Sequence, residues 1–368
     1  MKTSRKKILI VSDFYDPHKS GIVTYIEQLV NTLKVKNYDI TILTTKFSTN
    51  LDNIEISENI KIIRCKPTLK ISRGFYSIDL VFKFIKIHRN FDLVNLHLPL
   101  VEIFPIIFFL EYKKTIVNYH CLPEFSLFLK FFKFYFYLFG FCLVFFSKKT
   151  LVLSKDYYDN ILFHKLINKK VKEIPPFILL QNQLKNKINK EKKIRIGYLG
   201  RLSNEKGIEY LIEASKKLLF NKVDHKITIA GDTEDTRFRK YISKIIKKSK
   251  FNNKINFIGK LNEAQKKSFF QNIDILVLPS VNSFEAFGIV QLEAMSYGVP
   301  VVASNIAGVR TIIQKTKNGF LFSKRNSDDL YEKILICNQV KFDSNLIKNN
   351  IKDEYSKEKF NNNVLESF

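Results

Sequence analysis

Two glutamates stand eight positions apart on either side of a turn of small residues. An apolar run over residues 273–280 predicts a buried strand that leads towards Glu285, and Gly288 begins a predicted helix that carries Glu293. Ligands bind at the carboxyl ends of strands in an open parallel sheet, and the amides of a helix start favour phosphate. One of the two carboxylates can therefore reach a sugar hydroxyl while the other accepts a hydrogen bond from a ribose. Either residue alone would also suit a solvated surface position.

Two cations follow another predicted strand, in the apolar run 194–202. Arg201 lies where that strand ends, and Lys206 precedes an amphipathic run with helical spacing. Arginine offers a planar fork of donors and lysine a mobile point charge, so a pair of phosphates is the expected ligand. The alternative is that both are solvated surface charges in a lysine-rich chain.

Several separately placed motifs occur in a characteristic order: Gly200-Arg201-Leu202, Lys206-Gly207, residues 227–232, residues 255–259, the glutamate pair and residues 294–304. This order resembles the family-4 retaining glycosyltransferases. The resemblance spans nearly the whole chain and is strongest over residues 194–322. It implies the GT-B fold, which has two Rossmann-like, doubly wound parallel-sheet domains facing a central cleft.

The resemblance also implies roles for individual residues. The diphosphate of a nucleotide sugar would lie at Arg201 and Lys206, the ribose at Glu293 and the sugar hydroxyls at Glu285. Positions implied to approach the donor through their backbone are Gly21, Gly259, Phe287, Gly288 and Ile289. Gly21 belongs to a Gly-Gly turn of the family whose first glycine is Ser20 here.

Two histidines follow predicted strands of the first domain. His120 comes after the strand over residues 115–118 and matches the family histidine beside the reacting sugar, which implies a catalytic role. His97 follows the strand over residues 93–96, where it either supports the acceptor side or is structural. The family transfers sugar with retention, and we expect front-face displacement in which Arg201 and Lys206 neutralise the leaving group. No metal and no cofactor are expected, because the chain lacks a flanked Asp-x-Asp motif.

Length and composition predict two α/β domains with cores of their own. The 368 residues divide into an acceptor-binding domain (1–178), a nucleotide-sugar-binding domain (179–350) and a segment (351–368) that crosses back to the first. The 4 cysteines are scattered, which favours a reduced compartment without a zinc site. The basic start of the chain lacks the long apolar stretch of a signal peptide.

The charge balance is strongly positive, at +26 from 61 Lys and Arg against 35 Asp and Glu. Attraction to nucleic acid, attraction to an anionic membrane and a compositional bias are the three explanations. Nucleic acid is the weakest because the chain shows no known binding module. An aromatic run over residues 125–146, with Lys130, Lys133, Lys148 and Lys149 in or beside it, favours an interfacial helix, and a buried helix is the alternative.

Taken together, the sequence predicts a retaining glycosyltransferase in the cytoplasm, peripheral to the inner face of the membrane. Its partners would be a nucleotide-sugar donor, a glycan or lipid-linked acceptor and anionic lipid, without nucleic acid. Cell-surface polysaccharide or glycolipid synthesis is the expected role. Two alternatives stay open: an epimerase or phosphorylase-like enzyme of the same fold, and a noncatalytic basic protein that binds nucleic acid or membrane.

Overall fold

The computed structural model describes residues 5–36, 38–71, 74–123, 130–161, 164, 167, 170–181, 193–233, 235–248, 254–340 and 342–368. The chain forms two compact units: Met1–Phe177 together with Glu358–Phe368, and Ile178–Lys357. We call them the first and second unit. The polar sequence of residues 181–193 predicts an exposed linker or loop, and all of this segment except its two end residues lies outside the described residues.

The first unit contains an eight-stranded sheet and a small hairpin. Its strands are β1 (Lys7–Ser12), β2 (Asp39–Thr45), β3 (Ile54–Ser57), β4 (Ile60–Cys65), the hairpin strands β5 (Leu69–Ile71) and β6 (Gly74–Tyr76), β7 (Leu93–Leu98), β8 (Thr115–Tyr119), β9 (Lys149–Val152) and β10 (Val171–Glu173). The order in the sheet is β10-β9-β8-β7-β1-β2-β4-β3. All neighbouring strands are parallel except β3, which runs antiparallel to β4 at the edge.

Helices connect most of these parallel strands, as is usual for the crossovers of a parallel sheet, whereas β2 and β4 are joined through β3. They are α1 (Gly21–Val35), α2 (Ile78–Ile87), α3 (Ile103–Ile107), α4 (Lys130–Phe146) and α5 (Lys155–Asp159). The central strands are buried along nearly their whole length, in keeping with their continuous apolar sequence. The core of the unit lies between β1, β2 and α1.

The second unit is a six-stranded parallel sheet with the order β13-β12-β11-β14-β15-β16. Its strands are β11 (Ile194–Leu199), β12 (His225–Ala230), β13 (Ile255–Gly259), β14 (Ile275–Leu278), β15 (Val301–Ser304) and β16 (Gly319–Phe322). Its helices are α6 (Ile208–Phe220), α7 (Thr236–Lys248), α8 (Glu263–Gln271), α9 (Ile289–Ser296), α10 (Val309–Thr316), α11 (Ser327–Gln339) and α12 (Ser344–Tyr355). β11 and β14 are neighbours at the centre, so the loops that follow them lie side by side.

The end of the chain packs into the first unit. Helix α13 (Lys357–Leu365) places Phe360 and Val364 in the core of that unit, and Phe368 is buried with them. The return begins later than the sequence suggested, since residues 351–357 stay with the second unit. The physical reason is α12, which packs on α9 and buries Ile351 and Tyr355.

Candidate functional site

The loop after β11 presents Arg201 at the carboxyl end of the strand. The hydroxyl of Tyr198 donates to the backbone carbonyl of Arg201 at 2.8 Å. A neighbouring loop closes against it at Gly231, whose φ is +136° and where a Cβ atom would lie 1.8 Å from the carbonyl oxygen of Gly200. A side chain at position 231 would push the two loops apart, so their close contact requires glycine.

Lys206 lies in a short helical turn, Asn204–Lys206, that ends at Gly207. Gly207 has a φ of +63°, and a Cβ atom there would lie 2.1 Å from the carbonyl oxygen of Pro279. The turn is therefore packed directly on the chain that leaves β14. This contact brings Lys206 to Glu285 although 79 positions separate them.

The Nζ of Lys206 and the Oε2 of Glu285 form an ion pair, with side chains that are 18% and 14% exposed. The hydroxyl of Ser280 donates to the same carboxylate oxygen at 3.3 Å. Because both charges are largely withdrawn from solvent, salt screens their attraction less than it would at the surface. The pair places a cation and a hydrogen-bond acceptor side by side, which suits a ligand that carries an anion next to a hydroxyl.

Arg201 joins this group through two neighbours. Its guanidinium donates to Glu205 at 3.0 Å and lies 5.8 Å from the centre of the Phe284 ring. Arg201 is 43% exposed, whereas Glu205 is 11% exposed. Arg201, Lys206 and Glu285 are thus brought to one edge of the second unit, as their strand-end positions predicted.

Glu293 belongs to a different charge pair. It lies in the second turn of α9 and forms an ion pair with Lys266 of α8. Burial lowers the pKa of Lys266, but the adjacent Glu293 carboxylate outweighs this and leaves the pKa raised. Sequence reasoning missed Lys266, because no motif distinguishes it from the other lysines of the chain.

The start of α9 explains why Gly288 precedes the helix. Gly288 has a φ of +79°, and a Cβ atom would lie 2.7 Å from a methyl group of Leu278. The backbone amides of Phe287, Gly288 and Ile289 stand at this start, where helix geometry offers no intrahelical acceptor. Phe287 as a whole is only 2% exposed, and its ring packs edge-on towards Tyr355 in the interior of the second unit.

Two further predicted glycines stand at the ends of regular elements. Gly259 ends β13 with a φ of +71°, and no heavy atom lies within 4 Å of a Cβ built there. In the first unit, Gly21 is the first residue of α1 and Ser20 is its N-cap. The Ser20 hydroxyl accepts a hydrogen bond from the Val23 amide at 3.3 Å, and Ser20 itself has extended backbone. Serine at position 20, where the family has the first glycine of its turn, therefore causes no backbone strain.

The two histidines are in direct contact. The Nδ1 of His97 lies 2.9 Å from the Nε2 of His120, and the Nε2 of His97 lies 2.8 Å from the Oδ1 of Asn95. Both rings are buried, at 1% and 3% exposure. Burial lowers the pKa of His97 well below its usual value, with a contribution from His120, and lowers the pKa of His120 to about 3. Both imidazoles are therefore neutral near pH 7.

Two carboxyl groups that the sequence did not single out are buried in the first unit. Asp13 follows β1, and Glu102 precedes α3 and accepts a hydrogen bond from the Ser77 amide at 2.6 Å. Burial, together with repulsion from Glu102, raises the pKa of Asp13 well above its usual value. Burial raises the pKa of Glu102 to about 7. As isolated acids in loops, they carried no pattern that could have revealed them.

Helices α2, α3 and α4 pack side by side and expose aromatic rings. We call this surface the aromatic face. Its exposed rings belong to Phe82, Phe104, Phe108, Phe109, Phe134, Phe145 and Phe146. Residues 125–129 of the predicted run lie outside the described residues, as does the side chain of Lys130. Among the described helices, none combines the length and apolar character needed to cross a membrane.

The match to a known family covers most of the second unit. Residues 181–353 match the family of glycosyl transferases group 1. An uncharacterized glycosyltransferase of Methanocaldococcus jannaschii is 34% identical over 171 residues, which is 46% of this chain and 42% of that protein. The chain thus matches about two fifths of the length of its curated relatives.

Solved structures match over nearly the whole chain. Sucrose-phosphate synthase from Thermosynechococcus elongatus superposes with a TM-score of 0.80 at 16% identity, covering 98% of both chains. HepE of Anabaena, solved with UDP and glucose, superposes with a TM-score of 0.73 at 17% identity, covering 99% of both. The chain has the GT-B fold with two Rossmann-like units, which confirms the predicted fold class.

Proposed function

We propose that the protein is a retaining glycosyltransferase that moves a sugar from a nucleoside diphosphate to a glycan or lipid-linked acceptor. The observation that carries the proposal is the group formed by Arg201, Lys206 and Glu285 at the carboxyl ends of β11 and β14. The match of residues 181–353 to group 1 glycosyl transferases supports it, as does the UDP and glucose bound by HepE.

In this proposal the second unit binds the donor. Arg201 and Lys206 hold the diphosphate, with help from the amides of Phe287, Gly288 and Ile289. Glu285 accepts hydrogen bonds from the sugar, and Glu293 accepts them from the ribose. Each carboxylate is held by a lysine, so its acceptor atoms are oriented before a ligand arrives. The first unit binds the acceptor, and His120 lies beside the reacting sugar.

The transfer proceeds by front-face displacement. The acceptor oxygen forms its bond to the anomeric carbon on the face from which the diphosphate departs, and the acceptor proton passes to a diphosphate oxygen. Arg201 and Lys206 stabilise the negative charge that grows on the leaving group. Glu285 is paired with Lys206 and Ser280, which suits an orienting role better than nucleophilic attack. No metal is part of the proposal, since the two cations supply the positive charge.

We further propose that the protein works at the inner face of the cytoplasmic membrane, in cell-surface polysaccharide or glycolipid synthesis. The aromatic face supports this because exposed Phe82 and Phe108, at 68% and 69%, lie on packed helices of a single unit. Two lysines adjoin exposed rings in the chain, since Lys83 follows Phe82 and Lys133 precedes Phe134. Rings of this kind insert at the lipid interface while lysines meet anionic headgroups.

Binding of a nucleoside diphosphate tests the donor site. Arg201→Ala and Lys206→Ala each remove a charge-assisted contact, and we expect each to weaken binding by about tenfold or more in calorimetry. Lys216→Ala is the matched control, because this cation lies on α6 and pairs with Glu213. Unchanged affinity in both site variants would refute the donor assignment.

The type of reaction is tested by mass spectrometry. A panel of nucleotide sugars is incubated with glycan and lipid-linked acceptors, and products are analysed for added sugar and anomeric configuration. A retained glycosidic product supports the proposal. An isomerised nucleotide sugar or a sugar phosphate would instead identify the epimerase or phosphorylase alternative. A noncatalytic protein would yield no product, and its ligand binding would be indifferent to Glu285 and Arg201.

A further inference from the structure

Three buried side chains on β7 and next to β8 form a hydrogen-bonded series that ends at His120. The amide nitrogen of Asn95 donates to the carbonyl oxygen of Ile116 at 3.1 Å. Its oxygen is thereby turned to His97, whose Nε2 lies 2.8 Å away. An amide oxygen can only accept a hydrogen bond, so the Nε2 of His97 carries a proton.

The second link follows from the first. A neutral imidazole has one N–H, so the Nδ1 of His97 must accept. The atom 2.9 Å from it is the Nε2 of His120, which therefore donates. The amide nitrogen of Asn118 lies 3.5 Å from the Nε2 of His97, but two donors form no hydrogen bond with each other. The series leaves the Nδ1 of His120 without a proton.

The Nδ1 of His120 is buried and has no hydrogen-bond partner among the residues that the structure describes. The ring cannot easily turn to find one. It stacks on His97 with centroids 5.1 Å apart, and Tyr25 packs edge-on against it at the same distance. A lone pair held in this way accepts from a hydroxyl group and repels the oxygen of a phosphate, which is itself an acceptor.

We propose that His97 is a positioning residue, whose hydrogen bond to Asn95 fixes the tautomer of His120 so that Nδ1 accepts a hydroxyl of the bound sugar. This rests on the proposed function, which places His120 beside the reacting sugar. His97 touches no substrate and acts only through His120. Because both histidines are neutral, the arrangement is independent of pH over the range in which an ordinary histidine titrates.

Two variants of nearly equal size separate positioning from packing. In His97→Asn, an amide oxygen takes the place of Nδ1 and still accepts from His120. In His97→Leu, the same number of heavy atoms remains but the acceptor is lost. Nitrogen NMR of the full chain with labelled histidine distinguishes protonated from unprotonated ring nitrogens. The signals of His120 are assigned as those that disappear in the spectrum of His120→Gln.

We expect an unprotonated Nδ1 at His120 in the native protein and in His97→Asn, and a mixture of tautomers in His97→Leu. The kcat for sugar transfer should fall about tenfold further in the leucine variant than in the asparagine variant, with a smaller change in donor KM. A protonated Nδ1 in the native protein, a His120 that titrates near pH 6.5, or equal kcat in the two variants would overturn the proposal. If the tautomers behave as stated but no donor supports transfer, the tautomer assignment stands and the proposed function fails.

Discussion

At the scale of single residues, the two glutamates of the motif are held by different lysines. Glu285 pairs with Lys206, which lies on the loop between β11 and α6, and Glu293 pairs with Lys266 of α8. The two carboxylates therefore act in separate surroundings, which supports the proposed division between sugar and ribose.

That division can be tested by neutral substitutions. Glu293→Gln should weaken the binding of a free nucleoside diphosphate by about tenfold, because it removes a charged acceptor of the ribose. Glu285→Gln should leave that affinity nearly intact and suppress turnover. Calorimetry and transfer kinetics measure the two effects, with the exposed Glu213→Gln as the control. Equal loss of nucleotide affinity in both variants would show that the roles are wrongly divided.

The buried acid Glu102 predicts a pH effect with a definite sign. Its folded pKa of about 7 is above the ordinary value of 4.5, so the native state holds the proton more tightly. Its contribution to stability is present below pH 4.5 and is lost as pH rises through 7. Glutamine at position 102 never ionises. The free energy of unfolding of Glu102→Gln, relative to that of the native protein, should therefore be about 2 kcal/mol higher at pH 8 than at pH 5.

Urea unfolding at the two pH values measures this difference. The native protein and the variant are compared in the same buffers, because the buried histidines of the first unit have lowered pKa values and contribute a slope of the opposite sign. Glu111→Gln is the control, since Glu111 is exposed and its pKa is lowered by its hydrogen bond with Lys114. A variant that gains no more stability at pH 8 than at pH 5 would contradict the assignment.

At the scale of elements, α4 is apolar around most of its circumference and yet is covered only in part. Leu143 and Val144 are fully buried, whereas Phe134, Phe145 and Phe146 are more than half exposed. The sequence left an interfacial helix and a buried helix as alternatives. The structure shows a helix with one buried side and one exposed side, packed against α3.

Sedimentation with lipid vesicles tests the aromatic face. We expect binding to anionic vesicles, little binding to neutral ones, and release as ionic strength rises. Phe82→Ser/Phe108→Ser should lower binding by removing inserted rings, and Lys133→Glu should lower it about fivefold or more, since each cation contributes about 1 kcal/mol. Phe220→Ser is the control because that ring is 87% exposed on the second unit. If the protein ignores anionic vesicles at low salt, the proposal of membrane contact is wrong and the high positive charge is compositional.

At the scale of the whole molecule, the last residues complete the core of the first unit. Phe360 packs against Tyr25 and Phe177, and the hydroxyl of Thr32 lies 2.7 Å from the amide oxygen of Asn361. Helix α13 is therefore part of the first unit although the whole second unit precedes it in the chain.

Phe360→Ala should destabilise the first unit by about 3 to 5 kcal/mol, because it leaves a cavity in a packed core. In calorimetric unfolding we expect the transition of the first unit to move to lower temperature while that of the second changes little. Nucleoside diphosphate affinity should be retained, since the donor residues belong to the second unit. Phe220→Ala, at an exposed ring, controls for the loss of an aromatic side chain. An unshifted first transition would show that the segment adds no stability.

The sequence by itself determined the two sheets and the strand-end positions of the site. Parallel strands that are buried on both faces must be apolar over their length. Runs such as residues 194–199 and 275–278 can therefore be recognised as strands from the sequence alone. The residues that follow them lie at one edge for the same topological reason. Strand β3 was missed because its side chains are exposed at a sheet edge, and the short hairpin of β5 and β6 was missed because most of its side chains are only half-buried or exposed.

Only the tertiary structure decided which side chains meet. Three contacts join separate elements: Lys266 pairs with Glu293, His97 contacts His120, and Asp13 is buried close to Glu102. Such contacts depend on the packing of helices and loops against the sheet, and no spacing along the chain encodes them. The exposure of the aromatic face was undecided for the same reason, because an apolar helix is equally suited to a core and to an interface until its neighbours are known.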